Sequence, residues 1–164
     1  MRDLKSYIIK AINMLESAGV HCGNIIDCEV NSRAKRWGQC RKVPDGYVIS
    51  INASLLDERN GEDGLMNTIL HELIHSVKGC FNHGKNWKAV AEKINRTYGY
   101  NIKRVNSAEE KGVSSETMPK RNIKYKFVCS GCGAEVVRER ASKFTNNCQN
   151  YHCAKCGGKF VQVY

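Results

Sequence analysis

The chain has 164 residues, 41% of them hydrophobic, which is enough for one ordinary domain or for a compact domain with a small module beside it. Its formal charge is +10, and residues 101–164 hold 12 Lys and Arg against 5 Asp and Glu, so an anionic partner such as nucleic acid is expected. No run approaches the roughly 20 apolar residues of a membrane span, and the N-terminus lacks an apolar signal core. We therefore expect a cytoplasmic protein without a membrane partner, associated with the nucleoid if the source is bacterial.

Nine cysteines are present, which is an odd number. Four of them form two C-x-x-C pairs, and this arrangement suits metal binding better than a framework of disulfides. The cysteine usage therefore indicates a reducing compartment.

The first part of the chain predicts a helix followed by a small sheet. Apolar residues recur with helical period over residues 3–18, which favours a packing helix. Residues 25–30 and 47–51 have the composition of strands, and a turn signal at 44–46 precedes the second. We predict a small antiparallel sheet over residues 25–51. It either covers the next helix or holds an extended substrate along the strand at 47–51.

A basic segment lies between these two predicted strands. It contains Arg33, Lys35, Arg36 and Trp37. Cationic and aromatic side chains together are typical of surfaces that bind nucleic acid, so these residues are candidate DNA contacts. Trp37 can equally fill a corner of the core.

The sequence His71-Glu72-Leu73-Ile74-His75 is the strongest chemical signal in the chain. Residues four apart on a helix project from one face, so His71 and His75 can bind a single Zn²⁺. Glu72 can take a proton from a metal-bound water as a general base. Apolar residues at helical spacing over the run 65–79 support the helix.

A catalytic zinc site needs a third protein ligand and one open position. His83 follows the motif across Gly79 and can return to the metal from the loop or from the start of a helix predicted at residues 85–98. Glu92 on that helix is the alternative ligand. We expect His83.

The chain after residue 100 changes character. Residues 101–122 are polar and weakly periodic, which predicts a linker with at most a short ordered start. This predicts one domain over residues 1–100 and a second over residues 123–164.

The last segment contains two cysteine pairs, Cys129 with Cys132 and Cys153 with Cys156. Two C-x-x-C pairs at this separation are typical of a structural zinc site with four thiolates. We predict a small zinc ribbon that is stabilised mainly by its metal. Cys148 and His152 are alternative ligands that two complete pairs leave unneeded.

The same segment offers a second basic surface. Arg138, Arg140 and Lys143 are candidate DNA contacts, together with the aromatic residues Phe144 and Tyr151. Zinc ribbons also serve as protein-binding or purely stabilising modules, and the sequence leaves this choice open.

With these motifs in order, the chain resembles the SprT-like family of metalloproteases, which includes the Spartan proteases. The resemblance extends over nearly the whole chain and rests on residues 33–40, the H-E-x-x-H motif, His83-Gly84, Trp87-Lys88 and the four-cysteine ribbon. It implies that His71, His75 and His83 hold a catalytic zinc and that Glu72 is the general base. The implied fold class is α+β: a minimal zincin with helices on a small antiparallel sheet, followed by a small β zinc ribbon.

The resemblance implies a zinc endopeptidase that associates with DNA and cleaves DNA-bound or DNA-crosslinked proteins, with one catalytic and one structural zinc. Its partners would be a protein substrate and DNA, and we expect a monomer. One alternative is a non-catalytic DNA-binding or regulatory zinc protein, whose H-E-x-x-H site is structural and closed by a fourth ligand such as Cys80. Another is a zinc hydrolase that acts on a small substrate without nucleic acid.

Overall fold

The fold is α+β, as the sequence predicted, and its two sheets are small. The computed structural model describes residues 1–32, 36–114, 116–117 and 122–164. The chain forms two units, Met1–Pro119 and Lys120–Tyr164. Within the described residues, no helix is both long and apolar enough to cross a membrane.

The first unit contains helices packed on a three-stranded sheet. In chain order its elements are α1 Leu4–Ser17, β1 Ile25–Asn31, β2 Gly38–Val43, β3 Gly46–Asn52, α2 Ala53–Leu56, α3 Glu62–Ser76 and α4 Lys85–Tyr98, followed by a 3₁₀ turn at Glu109–Lys111.

The strand order of this sheet differs from the predicted antiparallel arrangement. The order is β1-β3-β2, with β2 antiparallel to β3 and β1 parallel to it. β1 ends with Asn31 opposite Asn52, and β2 begins with Gly38 opposite Ile51, so the chain passes from one side of β3 to the other at one end of the sheet. The prediction was wrong because residue patterns identify strands but do not encode which edge each strand joins. The most buried strand, β3, takes the centre, where it pairs on both edges.

Helix α3 runs through the core of the first unit. Its apolar residues are buried as the helical period predicted, among them Leu65, Ile69, Leu70, Leu73 and Ile74. Acidic residues occupy its first turn, where their negative charge interacts favourably with the positive end of the helix dipole. The helix ends at Ser76, before the end of the predicted run 65–79, because the backbone at the following residue is extended.

The other long helices follow the sequence pattern closely. Helix α1 begins after Asp3, whose side chain accepts a hydrogen bond from the Ser6 N–H at 3.0 Å. Helix α4 has the predicted bounds, and Gly99 ends it in the left-handed conformation. Both helices bury one apolar face against the rest of the unit.

The segment after residue 100, predicted as a linker, packs on the first unit in its described part. Ile102 and Val113 belong to the core, and Lys111 is only 6% exposed. The Ser54 hydroxyl donates to the Thr117 carbonyl at 2.6 Å. Isolated apolar residues without a period gave no local signal of this packing. Residues 115 and 118–121 of the predicted linker lie outside the described residues, and the domain boundaries stay a prediction.

The second unit is a small three-stranded antiparallel sheet with one short helix. Its elements are β4 Tyr125–Cys129, β5 Glu135–Arg138, α5 Lys143–Asn146 and β6 Phe160–Gln162, in the sheet order β5-β4-β6. Its core is small and consists of Phe127, Phe160, Cys129 and Cys153. So few apolar contacts make a metal the expected main source of stability.

Candidate metal centre

Three imidazoles converge in the first unit. The Nε2 atoms of His71 and His75 are 3.3 Å apart, those of His75 and His83 are 3.1 Å apart, and those of His83 and His71 are 2.9 Å apart. A tetrahedral ion with Zn–N bonds of about 2.0–2.1 Å places its nitrogen ligands about 3.3–3.4 Å from one another. The three nitrogens therefore need to spread by only a few tenths of an ångström to hold one ion.

Local structure explains how the histidines meet. Helix α3 projects His71 and His75 from one face, one turn apart. The chain then leaves the helix at Val77 and returns through a loop, which brings His83 back just before α4 begins. The buried indole of Trp87 on α4 packs against all three imidazoles, with ring centroids 4.7–5.7 Å away.

Backbone carbonyls fix the orientation of two of these rings. His71 Nδ1 lies 2.8 Å from the Lys103 carbonyl oxygen, and His75 Nδ1 lies 3.0 Å from the Cys80 carbonyl oxygen. A neutral imidazole that donates from Nδ1 keeps the Nε2 lone pair free for a metal. Burial and the neighbouring His75 and His83 lower the pKa of His71 to about 3, and burial lowers the pKa of His75 and of His83. The surroundings therefore favour the form that binds metal.

Glu72 lies beside this group with its carboxyl buried, at 8% exposure. The Cys40 backbone N–H of β2 favours the ionised form of this carboxyl and so lowers its pKa. Gly38 of the same strand leaves room for the carboxyl, since a Cβ at that position would lie 2.6 Å from Glu72 Oε1. Burial raises the pKa of Glu72 to about 7, against the opposing effect of Lys111 and Arg36. A carboxyl with a pKa in this range can both accept and return a proton near neutral pH.

The rival ligands lie elsewhere. Among the described residues, the cluster of ligand atoms contains His71, His75 and His83, and neither Glu92 nor Cys80 belongs to it. Glu92 is exposed on α4, and Cys80 contributes its backbone carbonyl to His75. The group thus has three protein ligands and no fourth within the described part of the chain, which is the composition of an open site.

A cleft opens in front of the histidines, with a volume of about 610 Å³. Gly38, Gln39 and Cys40 of β2 line it, together with the segment 103–106 and Lys111. The predicted substrate strand at 47–51 is wrong in position, because β3 is paired on both edges and cannot accept another strand. In the described part of the chain β2 has a partner on one edge only, so it is the strand beside the site that can add a peptide.

The basic segment before β2 lies partly in the same cleft. Arg36 and Trp37 line its wall, and the Arg36 guanidinium donates to the Gln39 side chain. The Trp37 ring is half-buried against the core. Arg33 and Lys35 lie outside the described residues. A role of these residues in binding DNA stays a prediction.

The second unit gathers the four predicted thiols. Cys129 Sγ lies 3.5 Å from Cys156 Sγ, and Cys132 Sγ lies 3.7 Å from Cys153 Sγ. Tetrahedral Zn–S bonds of about 2.3 Å separate sulfur ligands by about 3.8 Å, so the four atoms fit one ion. Backbone N–H groups, that of Cys132 foremost, lower the pKa of the Cys129 thiol to about 7, which favours the thiolate.

The alternative ligands of this unit have other positions. Cys148 packs against the small core, and His152 is exposed and pairs through its backbone with Lys159. Neither belongs to the four-thiol cluster.

The predicted basic surface of the second unit is partly ordered by aromatic packing. The Arg138 guanidinium lies 5.4 Å from the centroid of the Phe144 ring. Phe144 packs edge-on against Phe127 and Tyr151, at 4.8 and 5.2 Å between centroids. Tyr151 remains 41% exposed. Arg140 and Lys143 are exposed as well, and contact of this surface with DNA stays a prediction.

Sequence reasoning missed four contributors to the first site: the Lys103 carbonyl, the space at Gly38, the Thr68 hydroxyl and the Lys111 ammonium. Gly64, in the first turn of α3 and just before the apolar run 65–79, was the one local signal, since glycine allows a close approach to the backbone. Lys111 lies in a polar segment without periodicity, and nothing local to it predicted its burial.

Fold and site together define an α+β protein with a histidine cluster and a cysteine cluster that can each bind a metal ion such as zinc. Residues 16–107 match the model of the SprT-like family. The match covers more than half of the chain, so the protein belongs to the SprT-like family, which confirms the predicted family, while the four-cysteine part of the resemblance stays a prediction. It includes all three histidines and Glu72 and ends before Lys111 and the four cysteines. A comparison with curated proteins found no match.

Proposed function

We propose that the protein is a zinc-dependent endopeptidase whose first unit is a minimal zincin. The observation that carries the proposal is the convergence of three Nε2 atoms, 2.9–3.3 Å apart, beside a buried glutamate. Membership of the SprT-like family supports it. His71, His75 and His83 would hold the catalytic zinc, and the four thiols of the second unit would hold a structural zinc.

Glu72 is the general base of the proposed reaction. When bound, zinc would polarise the scissile carbonyl and lower the pKa of water. Glu72 takes the proton of the attacking water and delivers it to the leaving amine. Gly38 leaves the space that its carboxyl occupies, and the Cys40 N–H favours the ionised form that accepts the proton.

The substrate is an extended peptide on the free edge of β2. This strand lines the cleft and has an unpaired edge within the described residues. Main-chain hydrogen bonds to a strand edge bind peptides with little regard to side chains. An open cleft with such an edge suits cleavage within a protein chain.

DNA is the proposed second partner, and proteins bound or crosslinked to DNA are the proposed substrates. The second unit supports this with 9 Lys and Arg against 2 Asp and Glu over residues 120–164. Its Arg138 and Tyr151 lie together around Phe144, which gives a cation and an aromatic ring on one surface.

The competing function, a non-catalytic zinc protein, needs a closed first site. Its predicted fourth ligand, Cys80, lies outside the cluster of ligand atoms. A closed structural site also requires no proton-accepting carboxyl beside its ligands, and the buried Glu72 lies there. Both observations favour the enzyme.

The test is the cleavage of a DNA-bound protein by wild-type protein and by Glu72→Gln, read as fragments on a gel with and without chelator. Gln keeps the shape of the side chain but cannot accept the proton. We expect the variant to retain zinc and to lose cleavage by a factor on the order of 100 or more. Glu92→Gln is the matched control, because it removes an exposed carboxylate outside the cluster, and it should cleave like wild type.

The same experiment without DNA tests the DNA part of the proposal. Cleavage should fall when DNA is omitted. If Glu72→Gln cleaves as fast as wild type, the catalytic assignment is overturned. If wild type cleaves equally well without DNA at every salt concentration, the peptidase remains but the DNA association does not.

A further inference from the structure

A buried lysine faces the same cleft as the histidines. Lys111 is 6% exposed, and it lines the cleft together with Thr68, His71 and Glu72. Lysine is among the residues that are least often fully buried, since taking an ammonium out of water is costly unless a partner or a task compensates. The family match ends before this residue.

The position of Lys111 is built into the fold. Its backbone packs directly on α3 at Gly64, where a Cβ would collide with the Lys111 carbonyl. Its Nζ donates to Thr68 Oγ1 at 2.6 Å, and the Thr68 hydroxyl in turn donates to the Gly64 carbonyl at 2.8 Å. The Thr68 hydroxyl proton is thus used in the hydrogen bond to the Gly64 carbonyl, so the Thr68 oxygen can only accept a hydrogen bond from Lys111.

Thr68 connects this lysine to the reacting groups. On α3, Thr68 precedes His71 by three residues and Glu72 by four, so all three lie on one helix face. Successive turns rise about 5.4 Å along the axis, so Thr68, which accepts the hydrogen bond of the ammonium, lies about one turn from the first metal ligand. Lys111 therefore enters the cleft beside the predicted metal and base.

The Lys111 ammonium has N–H groups that are not used in its hydrogen bond to Thr68. A lysine carries three N–H donors, and among the described residues Thr68 is the one acceptor that hydrogen-bonds to it. Glu72 and Glu110 are close enough to raise its pKa, but burial outweighs them and lowers that pKa to about 8. Lys111 is therefore still a cation at neutral pH.

Peptide hydrolysis develops a negative charge that such a cation can stabilise. When water attacks the carbonyl carbon, a C–O bond forms and an electron pair of the C=O bond moves to oxygen, which becomes negative. The pair returns when the C–N bond breaks and the amine leaves with the proton that Glu72 carries. A preorganised positive donor in a water-poor cleft stabilises that oxygen in the transition state.

We infer that Lys111 is a further catalytic residue, which stabilises the negative charge that develops on the carbonyl oxygen of the scissile peptide bond. This inference rests on the proposed peptidase function. It assigns to the segment after residue 107 a chemical role, in addition to its packing on α3.

The test compares zinc-loaded wild type, Glu72→Gln, Lys111→Met and Lys111→Arg. Measured are zinc content, thermal unfolding by tryptophan fluorescence, and kcat and KM on fluorescent casein with DNA present and on a fluorescent DNA-bound protein. The Kd of an N-phosphoryl dipeptide, whose tetrahedral anion mimics the developing charge, is measured as well. We expect Lys111→Met to retain zinc and KM, and to lose kcat by a factor on the order of 100. Its Kd for the phosphoryl dipeptide should rise about tenfold or more, and Lys111→Arg should recover part of both effects.

Lys10→Met is the matched control. It removes an exposed lysine that pairs with Glu62 at 3.0 Å, far along the chain from the cleft residues, and it should behave like wild type. If Lys111→Met fails to fold, Lys111→Gln keeps a donor for Thr68 without the charge and carries the same expectation.

The outcomes separate the two proposals. If wild type cleaves, Glu72→Gln does not, and the folded Lys111 variants keep both kcat and affinity for the phosphoryl dipeptide, only the inference on Lys111 is overturned. Equal loss of kcat in Lys111→Arg and Lys111→Met with unchanged dipeptide affinity assigns Lys111 a structural role and overturns it too. If zinc-loaded wild type cleaves neither casein nor a DNA-bound protein, the proposed function itself fails.

Discussion

At the scale of single residues, the first site depends on imidazoles that stay neutral. Their pKa values are lowered by burial, and that of His71 falls from an ordinary 6.5 to about 3. In the unfolded chain these histidines are exposed to water, so they bind protons as the pH falls below their ordinary pKa of 6.5. In metal-free protein His71 should therefore destabilise the folded state between pH 6.5 and about 3, since this residue binds more protons in the unfolded state there.

This pH dependence can be measured in metal-free protein by urea unfolding at pH 7.5 and pH 5. Both tryptophans, Trp37 and Trp87, lie in the first unit, so their fluorescence reports on that unit alone. We expect His71 to lower the free energy of unfolding by about 1–2 kcal/mol between pH 7.5 and pH 5. His71→Asn should remove that decrease, whereas the exposed His21→Asn should not.

The comparison of variants is needed because Glu72 acts in the opposite direction. Burial raises the pKa of Glu72 to about 7, so its carboxyl binds a proton more readily in the folded state than in the unfolded state. Protonation of Glu72 therefore stabilises the folded protein as the pH falls. A pH dependence that is identical in wild type and His71→Asn would contradict the assignment of a depressed pKa to His71.

At the scale of elements, α3 packs both on the core of the first unit and on the 3₁₀ turn that contains Lys111. Its apolar face fills the core, and its glycine at position 64 accepts the backbone of Lys111. Glycine in the middle of a helix weakens it by about 0.5–1 kcal/mol relative to alanine, and Gly64 lies in the first turn of α3. The contact with the 3₁₀ turn Glu109–Lys111 explains why glycine stands there.

Gly64→Ala should therefore destabilise the protein although alanine is the better helix former. We expect a loss of about 1–3 kcal/mol in urea unfolding, because the added methyl group must displace the Lys111 backbone. Gly61→Ala is the matched control, since a Cβ at Gly61 meets nothing within 4 Å, and it should cost less than about 1 kcal/mol. A stabilised Gly64→Ala protein would show that the turn does not pack on α3 in solution.

At the scale of the whole molecule, chemistry and charge are divided between two units. The three-histidine cluster belongs to Met1–Pro119, and the four-thiol cluster belongs to Lys120–Tyr164. Residues 120–164 carry +7 of the total charge of +10. A core as small as that of the second unit cannot be expected to persist without its metal.

Cys132→Ser should thus separate the two units functionally. We expect zinc content to fall from two ions per chain to one, and DNA affinity to fall on the order of tenfold or more at low salt. Unfolding followed by tryptophan fluorescence should not change. Cys148→Ser is the matched control because Cys148 lies outside the four-thiol cluster. Wild-type DNA affinity in Cys132→Ser would show that the ribbon is not the DNA-binding part.

The helices and the fold class could be predicted from the sequence, and so could the grouping of the ligands. Helical period is a local property, so α1 and α4 appear with nearly their observed bounds. The spacing of His71 and His75 sets them on one helix face, and the glycine-containing loop made the return of His83 plausible. Two C-x-x-C pairs imply a four-thiol cluster for the same local reason.

Which residues can bind metal follows from their spacing in the sequence, because residues four apart on a helix, or three apart in a tight turn, are neighbours in any fold. Two features follow from the tertiary structure alone: β1 joins β3 in parallel, and within the described residues β2 has an unpaired edge at the cleft. The tertiary structure alone placed Lys103 behind His71 and Lys111 beside Glu72. The contacts of Lys103 and Lys111 with α3 join residues about 30–40 positions apart. Such contacts depend on how the whole unit packs, and they leave no periodic pattern in the sequence.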